Sequence, residues 1–299
     1  MSVQLLHNSK IDLLRWDDVV LRASNSRVYA ESWFLDIIQP DWQGIIYGNY
    51  EYVMPVIVAK KWGTVYIYQP SYAQQHGIYP TATPKITLEI LAFIQKSFSY
   101  FNLSLNALNV DVSQKYQVEF RKNYLLSLHP VMDEIRKGYN KHTIRYVKKA
   151  AKECEISTLV SIEDYINLKQ KHSHKSFQSK DLDKLRLILL KAMKQNCGII
   201  YGAYSKRNEL IAAAFFLVEE KRITYLNSVS TTEGKSSRAM YAIVDRFIQD
   251  HAGSIYLLDF EGSNIDGIAR FFMGFGAQPE IYQHIRYNAL PWYMKVFKK

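Results

Sequence analysis

Between Cys197 and Ser230 the chain carries three apolar runs separated by links too short for anything but hairpins. CGIIYGAYS (197–205) leads through KRNE into LIAAAFFLVEE (210–220), and RITYLNSVS (222–230) follows after one residue. Runs rich in β-branched and aromatic residues and bounded by polar turns read as strands in antiparallel succession. A helix is expected next, from Ser236 to His251, with Ala239, Met240, Ile243, Val244, Phe247 and Ile248 on one face. A buried strand, SIYLLDF (254–260), comes after it. A strand reached through a helical crossover pairs parallel to its neighbour, so the sheet is mixed.

The flanking segments extend the pattern. EISTLV (155–160) reads as a strand; Ser161 with Asp164 caps a helix to about Lys175, and DLDKLRLILLKAMKQ (181–195) forms another. In that second helix Leu182, Leu185, Ile188, Leu189, Ala192 and Met193 make the apolar face. Ser263 with Asp266 opens a further helix through Phe271 and Phe272, and PEIYQHIRY (279–287) closes the set as a strand. The first half follows the same order: a strand near Val3 to Leu6, a helix beginning at Ser9, a helix at 29–39, strands at 44–50, 52–60 and 64–70, a helix at 85–98, and strands at 102–108 and 116–128. The expectation is an α/β (α+β mixed-sheet) chain of two tandem domains, 1–128 and 129–299, the second opening with a basic helix at 134–153.

Several function classes drop out. Cys154 and Cys197 have no metal-ligand or CxxC spacing and read as free thiols of a reducing compartment. His172 and His174, two apart, diverge on a helix and cannot chelate together. HExxH, zinc cysteine pairs and GxSxG are missing, and GKSS at 234–237 is no nucleotide P-loop, because its first glycine would have to stand at Val229. No metal is expected. The longest apolar run has nine residues, half a membrane span, and the N-terminal residues place acidic groups where a signal peptide needs an apolar core; the expectation is a cytoplasmic, soluble protein. Lys and Arg number 38 against 28 acidic residues, a net charge of +10 that suits an anionic partner as well as plain solubility.

Three stretches carry a resemblance. YNKHTIRYVKKAAKE (139–153) resembles the basic helix that opens the second domain of Fem-like proteins; DFEGSNIDGIARFFMGFGAQPE (259–280) resembles their final strand–helix–glycine segment, and YQPSYAQQHGIY (68–79) their first-domain signature. With the element order, the chain resembles the tandem-GNAT, Fem-like group of acyl-CoA N-acyltransferases over nearly its whole length. The resemblance implies acyl transfer from an acyl-CoA to a small-molecule or peptide amine. It leaves open an aminoacyl-tRNA donor with a cell-wall precursor as acceptor, and an inactive binding protein on the same fold.

In that group the loop after the fourth strand offers amides to the cofactor's pyrophosphate. The matching segment is SVSTTEGKSSRAMYA (228–242), which assigns Asn227, Ser228, Val229, Gly234, Lys235, Ser236, Ser237 and Arg238 to the cofactor, with Asn264 and Phe272 from the last segment. A helix N-terminus has about four unpaired N–H groups and suits phosphate; Gly234 is expected to let the backbone approach the ligand. The family's basic-x-x-Gly-x-Gly/Ala spacing is not reproduced here. Asp259 and Glu261 alternate along a strand, are expected to share a face and so raise at least one pKa, with Glu261 the favoured base. Phe272 stands at or beside the place of the family's usual tyrosine acid; Tyr225, Ser228, Tyr282 or water are the substitutes.

Lys141, Arg145, Lys148, Lys149 and Lys152 fall on one stripe of their helix, opposite Ile144, Val147 and Ala151. A second basic stretch runs from Lys169 to Lys194. Both fit a solvated face, or tRNA held by phosphate contacts.

Overall fold

A computed structural model describes residues 2–61, 63–172, 179–262 and 265–292. Asn264 and the expected cap Ser263 lie outside the described residues, as do His174 and Lys175. The chain divides into two compact units, 1–121 with 281–299, and 122–280. The division thus differs from the expected one at residue 128: residues 122–128 fall in the second unit and 281–299 in the first.

In the first unit β1 (Val3–His7) is followed by α1 (Leu13–Arg22) and α2 (Ser32–Ile38). The first helix begins after Asp12, whose carboxylate accepts the Arg15 N–H at 3.2 Å, and not at Ser9. Next come β2 (Gln43–Tyr47), β3 (Tyr52–Val56), β4 (Val58–Lys61), β5 (Thr64–Ile67), α3 (Pro84–Ser97), β6 (Tyr100–Ser104) and β7 (Gln117–Ser127). The run 52–60, expected to be one strand, breaks at Ile57 and serves two sheets. Pro55 lies on β3, the edge of an antiparallel β1–β2–β3 sheet, where its missing N–H costs no ladder bond.

The second unit takes β7 from Lys122 and continues with α4 (Met132–Lys137), α5 (Lys141–Glu153), β8 (Cys154–Ser157), α6 (Ile162–His172) and α7 (Ser179–Lys194). The basic helix is therefore two, parted at Gly138 and restarted by Asn140, whose side chain caps the Thr143 N–H at 2.8 Å. Then follow β9 (Gly198–Ser205), β10 (Leu210–Val218), β11 (Arg222–Ser230), α8 (Thr232–Ser236), α9 (Ala239–His251), β12 (Leu257–Gly262), α10 (Asp266–Gly274) and β13 (Gln278–Asn288). The sheet of this unit runs β8–β9–β10–β11–β12–β7, antiparallel except for β11 with β12. From Ile281 onward β13 belongs to the first unit and pairs antiparallel with β6, which is itself parallel to β5.

Each unit has its own core. In the second, α9 lays Ile243, Val244, Phe247 and Ile248 on the sheet, and Phe247 stacks on Phe216 of β10. Burying a side chain of this size contributes about 1.5 to 3 kcal/mol. On α7 the buried residues are Leu185, Ile188, Leu189 and Ala192, while Met193 faces outward. α10 ends where the chain passes close to another backbone: the Asn140 N–H donates to the Gly274 carbonyl at 3.0 Å, and Gly276 adopts φ +87°.

Candidate functional site

Strands β11 and β12 pair only at Arg222–Leu257, Ile223–Leu258 and Thr224–Asp259. Past Thr224 β11 keeps its β10 neighbour as far as Ser230 and has no β12 partner. The splay has a local cause on β12. Its register with β7 shifts between Asp259 and Gly262, and Glu261 takes a left-handed φ of +58°. Such a backbone is uncommon for a residue with a side chain, and it breaks strand alternation. Asp259 and Glu261 consequently do not share a face.

Asp259 is buried and ion-paired with Arg222 of β11, and its other oxygen accepts the Glu261 N–H at 2.8 Å. Burial works against the Arg222 charge, but Asp259, Glu280 and Glu219 outweigh it and leave its pKa raised. Asp259 therefore fixes the turn that presents Glu261 and does not line the cleft beside it.

That cleft has a volume of about 550 Å³ and lies wholly in the second unit. One wall is the unpaired part of β11 with Tyr225, Asn227, Ser228 and Val229; Phe260 and Glu261 come from β12, and Gly267, Ile268, Phe271 and Phe272 from α10. Gly234, Lys235, Arg238, Met240 and Tyr241 supply the α8–α9 side. Phe272 also stacks on Phe260, ring centres 4.8 Å apart, so it belongs to the core and the cleft at once. The Tyr225 hydroxyl donates to Met240 Sδ at 3.2 Å; burial pushes its pKa up, against a hydrogen bond with Ser228. The phenol is thus a proton carrier at neutral pH, not a base.

The helix expected from Ser236 begins three residues later, behind a short separate one. α8 ends at Ser236, Arg238 takes a left-handed φ of +65°, and α9 starts at Ala239 with no side-chain cap. The amides of Ala239 and Met240 have no acceptor among the described residues. Ser236 and Ser237 do not line the cleft: each hydroxyl donates to the Glu233 carbonyl at 2.9 Å. Gly234 is needed for a different reason from the one expected. A Cβ there would stand 2.2 Å from the Ile211 carbonyl oxygen, so the missing side chain lets α8 press on β10 and not on a ligand. Tyr282, on β13, is buried in the first unit and is not a cleft residue.

Two lysines expected on a solvated face are tied to these walls. Lys169 of α6 donates to the Ser228 carbonyl at 2.9 Å, and burial lowers its pKa to about 8. Beside it Tyr165 donates to Asn227 Oδ1 at 3.0 Å. Lys149 of α5 donates to the Ser236 carbonyl at 2.9 Å. The Arg238 guanidinium lies 4.4 Å over the Tyr146 ring, and Arg145 lies 5.2 Å from the same ring. Lys141, Arg145, Lys148 and Lys152 are exposed as expected, whereas Ile144 and Ala151 are exposed too and Thr143 and Ala150 form the buried line. The cationic face of α5 thus runs to the mouth of the cleft.

Sequence reasoning missed Tyr241, Gly267 and Ile268 as cleft residues. On the helix read through Phe271 and Phe272, Gly267 and Ile268 each stand four residues before one of these two rings, and that spacing was the signal that could have found them. Among the described residues no group of His, Cys, Asp and Glu could hold a metal ion, and no helix is long and apolar enough to cross a membrane.

No family model matches the sequence, and no curated protein is similar to it. Solved structures are similar in fold. FemX superposes with a TM-score of 0.66 at 10% identity, over 100% of this chain and 100% of that one. A GNAT-family acetyltransferase from Colwellia psychrerythraea gives 0.53 at 9% identity over 96% and 100% of the two chains, and L-PGS from Bacillus licheniformis 0.52 at 11% over 88% and 89%. At such identities the likeness is one of architecture: the chain has a mixed α/β fold like those of FemX and the GNAT-family protein.

Proposed function

We propose that the protein is an acyltransferase that lays an acyl-CoA along the free edge of β11 and passes its acyl group to an amine, a small molecule or a peptide. The observation that carries the reading is the cleft itself: an unpaired strand edge, with free helix amides, Lys235 and Arg238 on one side and Glu261 facing it. An extended amide-bearing arm completes a strand edge through backbone hydrogen bonds. Phosphates suit the α9 amides and the two cations. The acceptor nitrogen attacks the thioester carbonyl, Glu261 takes its proton, and the C–S bond of the tetrahedral adduct breaks to release a thiolate. Tyr225, kept protonated by burial, is the group placed to return a proton to sulfur.

Thermal shift with acetyl-CoA and longer acyl-CoAs tests the donor. Glu261→Gln is expected to keep that shift and lose about 10²- to 10⁴-fold in turnover; full turnover in this variant removes Glu261 as the base.

A second reading, an aminoacyl-tRNA donor, is favoured by one observation, the contact of the α5 cationic face with the cleft mouth through Lys149 and the Arg238–Tyr146 stack. Charged tRNA should then stabilise the protein where acyl-CoA does not. Replacing Lys141, Arg145 and Lys148 by Ala should flatten the salt dependence of tRNA binding by roughly one unit of slope per lost phosphate contact. An unchanged slope retires the tRNA reading.

A further inference from the structure

A second polar cluster lies in the first unit, on β6, β13 and the first residues of β7. His284 sits opposite Ser104 in the β6–β13 ladder, and the Ser104 hydroxyl lies 3.0 Å from His284 Nδ1. The ring is 5% exposed and lines a pocket of about 130 Å³ together with Gln117, Val118, Glu119 and Arg286. With Nδ1 engaged by Ser104, Nε2 is the nitrogen left for a ligand. Glu119 also reaches the pocket, but Arg121 holds its carboxylate in a two-pronged pair at 3.0 and 3.1 Å. Arg121 keeps the Glu119 pKa low, so this charge is both present and balanced. Arg286 makes no ion pair among the described residues, though its charge also helps to keep the Glu119 pKa low. The local sum is two guanidiniums against one carboxylate, a net single positive charge, beside a buried imidazole.

A volume of this size corresponds to about four waters at roughly 30 Å³ each, room for one tetrahedral or trigonal oxyanion. A guanidinium and an imidazole that line such a space supply the donors that phosphate and carboxylate groups accept from. A cation is disfavoured by Arg286 and Arg121, and an apolar group would leave the buried His284 ring without a polar partner at Nε2. We infer that this pocket binds a small oxyanion, a phosphate or carboxylate group, between the Arg286 guanidinium and His284 Nε2. The site stands apart from the acyl-transfer reading and does not depend on it.

The ring reports on its own occupancy. Burial, then the Arg121 and Arg286 charges, with Glu119 opposing, lower the His284 pKa to about 4. An anion at Nε2 favours the protonated ring, so the pKa must rise on binding, and affinity must rise by the same factor as pH falls. The experiment is a titration of the intact protein with inorganic phosphate and with acetate, followed by the ring resonances of His284. A saturable shift with a dissociation constant near the millimolar range is expected, with the ring pKa rising by about one unit or more, a tenfold effect. Arg286→Ala should weaken binding at least tenfold, and Arg286→Lys should restore part of it. His284→Gln keeps a neutral donor and should retain binding while losing the part of the pH dependence that the ring adds to the titration of the anion itself, with backbone amide spectra reporting that each variant is folded. Tighter binding of phosphate identifies a phosphate-bearing ligand, and tighter binding of acetate a carboxylate; either supports the site. No saturable shift by about 50 mM, an equal shift from chloride, or undiminished binding in Arg286→Ala overturns it.

Discussion

Replacing Gly234 by Ala tests whether the packing of α8 on β10 holds the cleft in shape. The new Cβ would stand 2.2 Å from the Ile211 carbonyl oxygen and 3.0 Å from the carbonyl carbon, both backbone atoms in the middle of a sheet. Neither can rotate away, so α8 has to lift by the better part of an ångström. Overpacking of this kind costs about 1 to 3 kcal/mol. For a unit of this size each kcal/mol lowers Tm by roughly 2 to 4 °C. The lifted helix carries Lys235 and the link to Arg238, both cleft residues, away from their places. A 1 Å misplacement of binding groups is worth about 100-fold in rate, so donor affinity or turnover should fall by at least tenfold. Gly267→Ala is the control: it lines the same cleft, its Cβ meets nothing within 4 Å, and it should stabilise the helix by up to about 1 kcal/mol. Calorimetry with both variants checks the argument. Equal Tm for Gly234→Ala and the wild type, with unchanged donor affinity, would refute it.

Asp259→Asn takes from buried Arg222 its ion-pair partner and leaves only the Glu280 and Glu219 charges; it should cost at least about 1 kcal/mol and up to about 3 to 5 in urea unfolding, and a loss below about 1 kcal/mol would show that the pair does not brace this turn. Burial lowers the His76 pKa to about 3 from an ordinary 6.5. The unfolded chain therefore binds the extra proton between these values, and stability is lost as pH falls through that window. His76→Asn should flatten this acid limb by about one proton, read from the slope of unfolding free energy against pH; an unchanged slope assigns the limb to other groups. Glu31 runs the opposite way. Chiefly through burial its pKa rises to about 7 from 4.5, so the stability present below pH 4.5 is lost as pH rises through about 7, and Glu31→Gln should abolish that loss.

The architecture was legible because its signals are periodic. The runs at 197–205, 210–220 and 222–230 became β9, β10 and β11 nearly residue for residue, and the crossover to β12 required the parallel pair that the sheet contains. Most residues assigned to the cofactor from segment 228–242 do line the cleft. What escaped depends on single backbone torsions. Composition gives no sign that Glu261 or Arg238 adopts a left-handed conformation, since neither is a glycine, and those two angles set which carboxylate faces the cleft and where α9 begins. Lys169 and Lys149 escaped for a related reason: a long aliphatic stem lets an ammonium reach a carbonyl that helical spacing cannot reveal.

The pairing of β13 with β6 has a consequence for how the chain is made. Ser104 and His284 meet across 180 positions of sequence, and the first unit has no closing strand until residues 281–288 exist. Folding strictly in order of synthesis, the usual route for chains of consecutive domains, therefore cannot complete the first unit. The β6 edge that β13 covers stays without this strand until the second unit has been made, and an unpaired edge is a place for wrong pairing in the meantime.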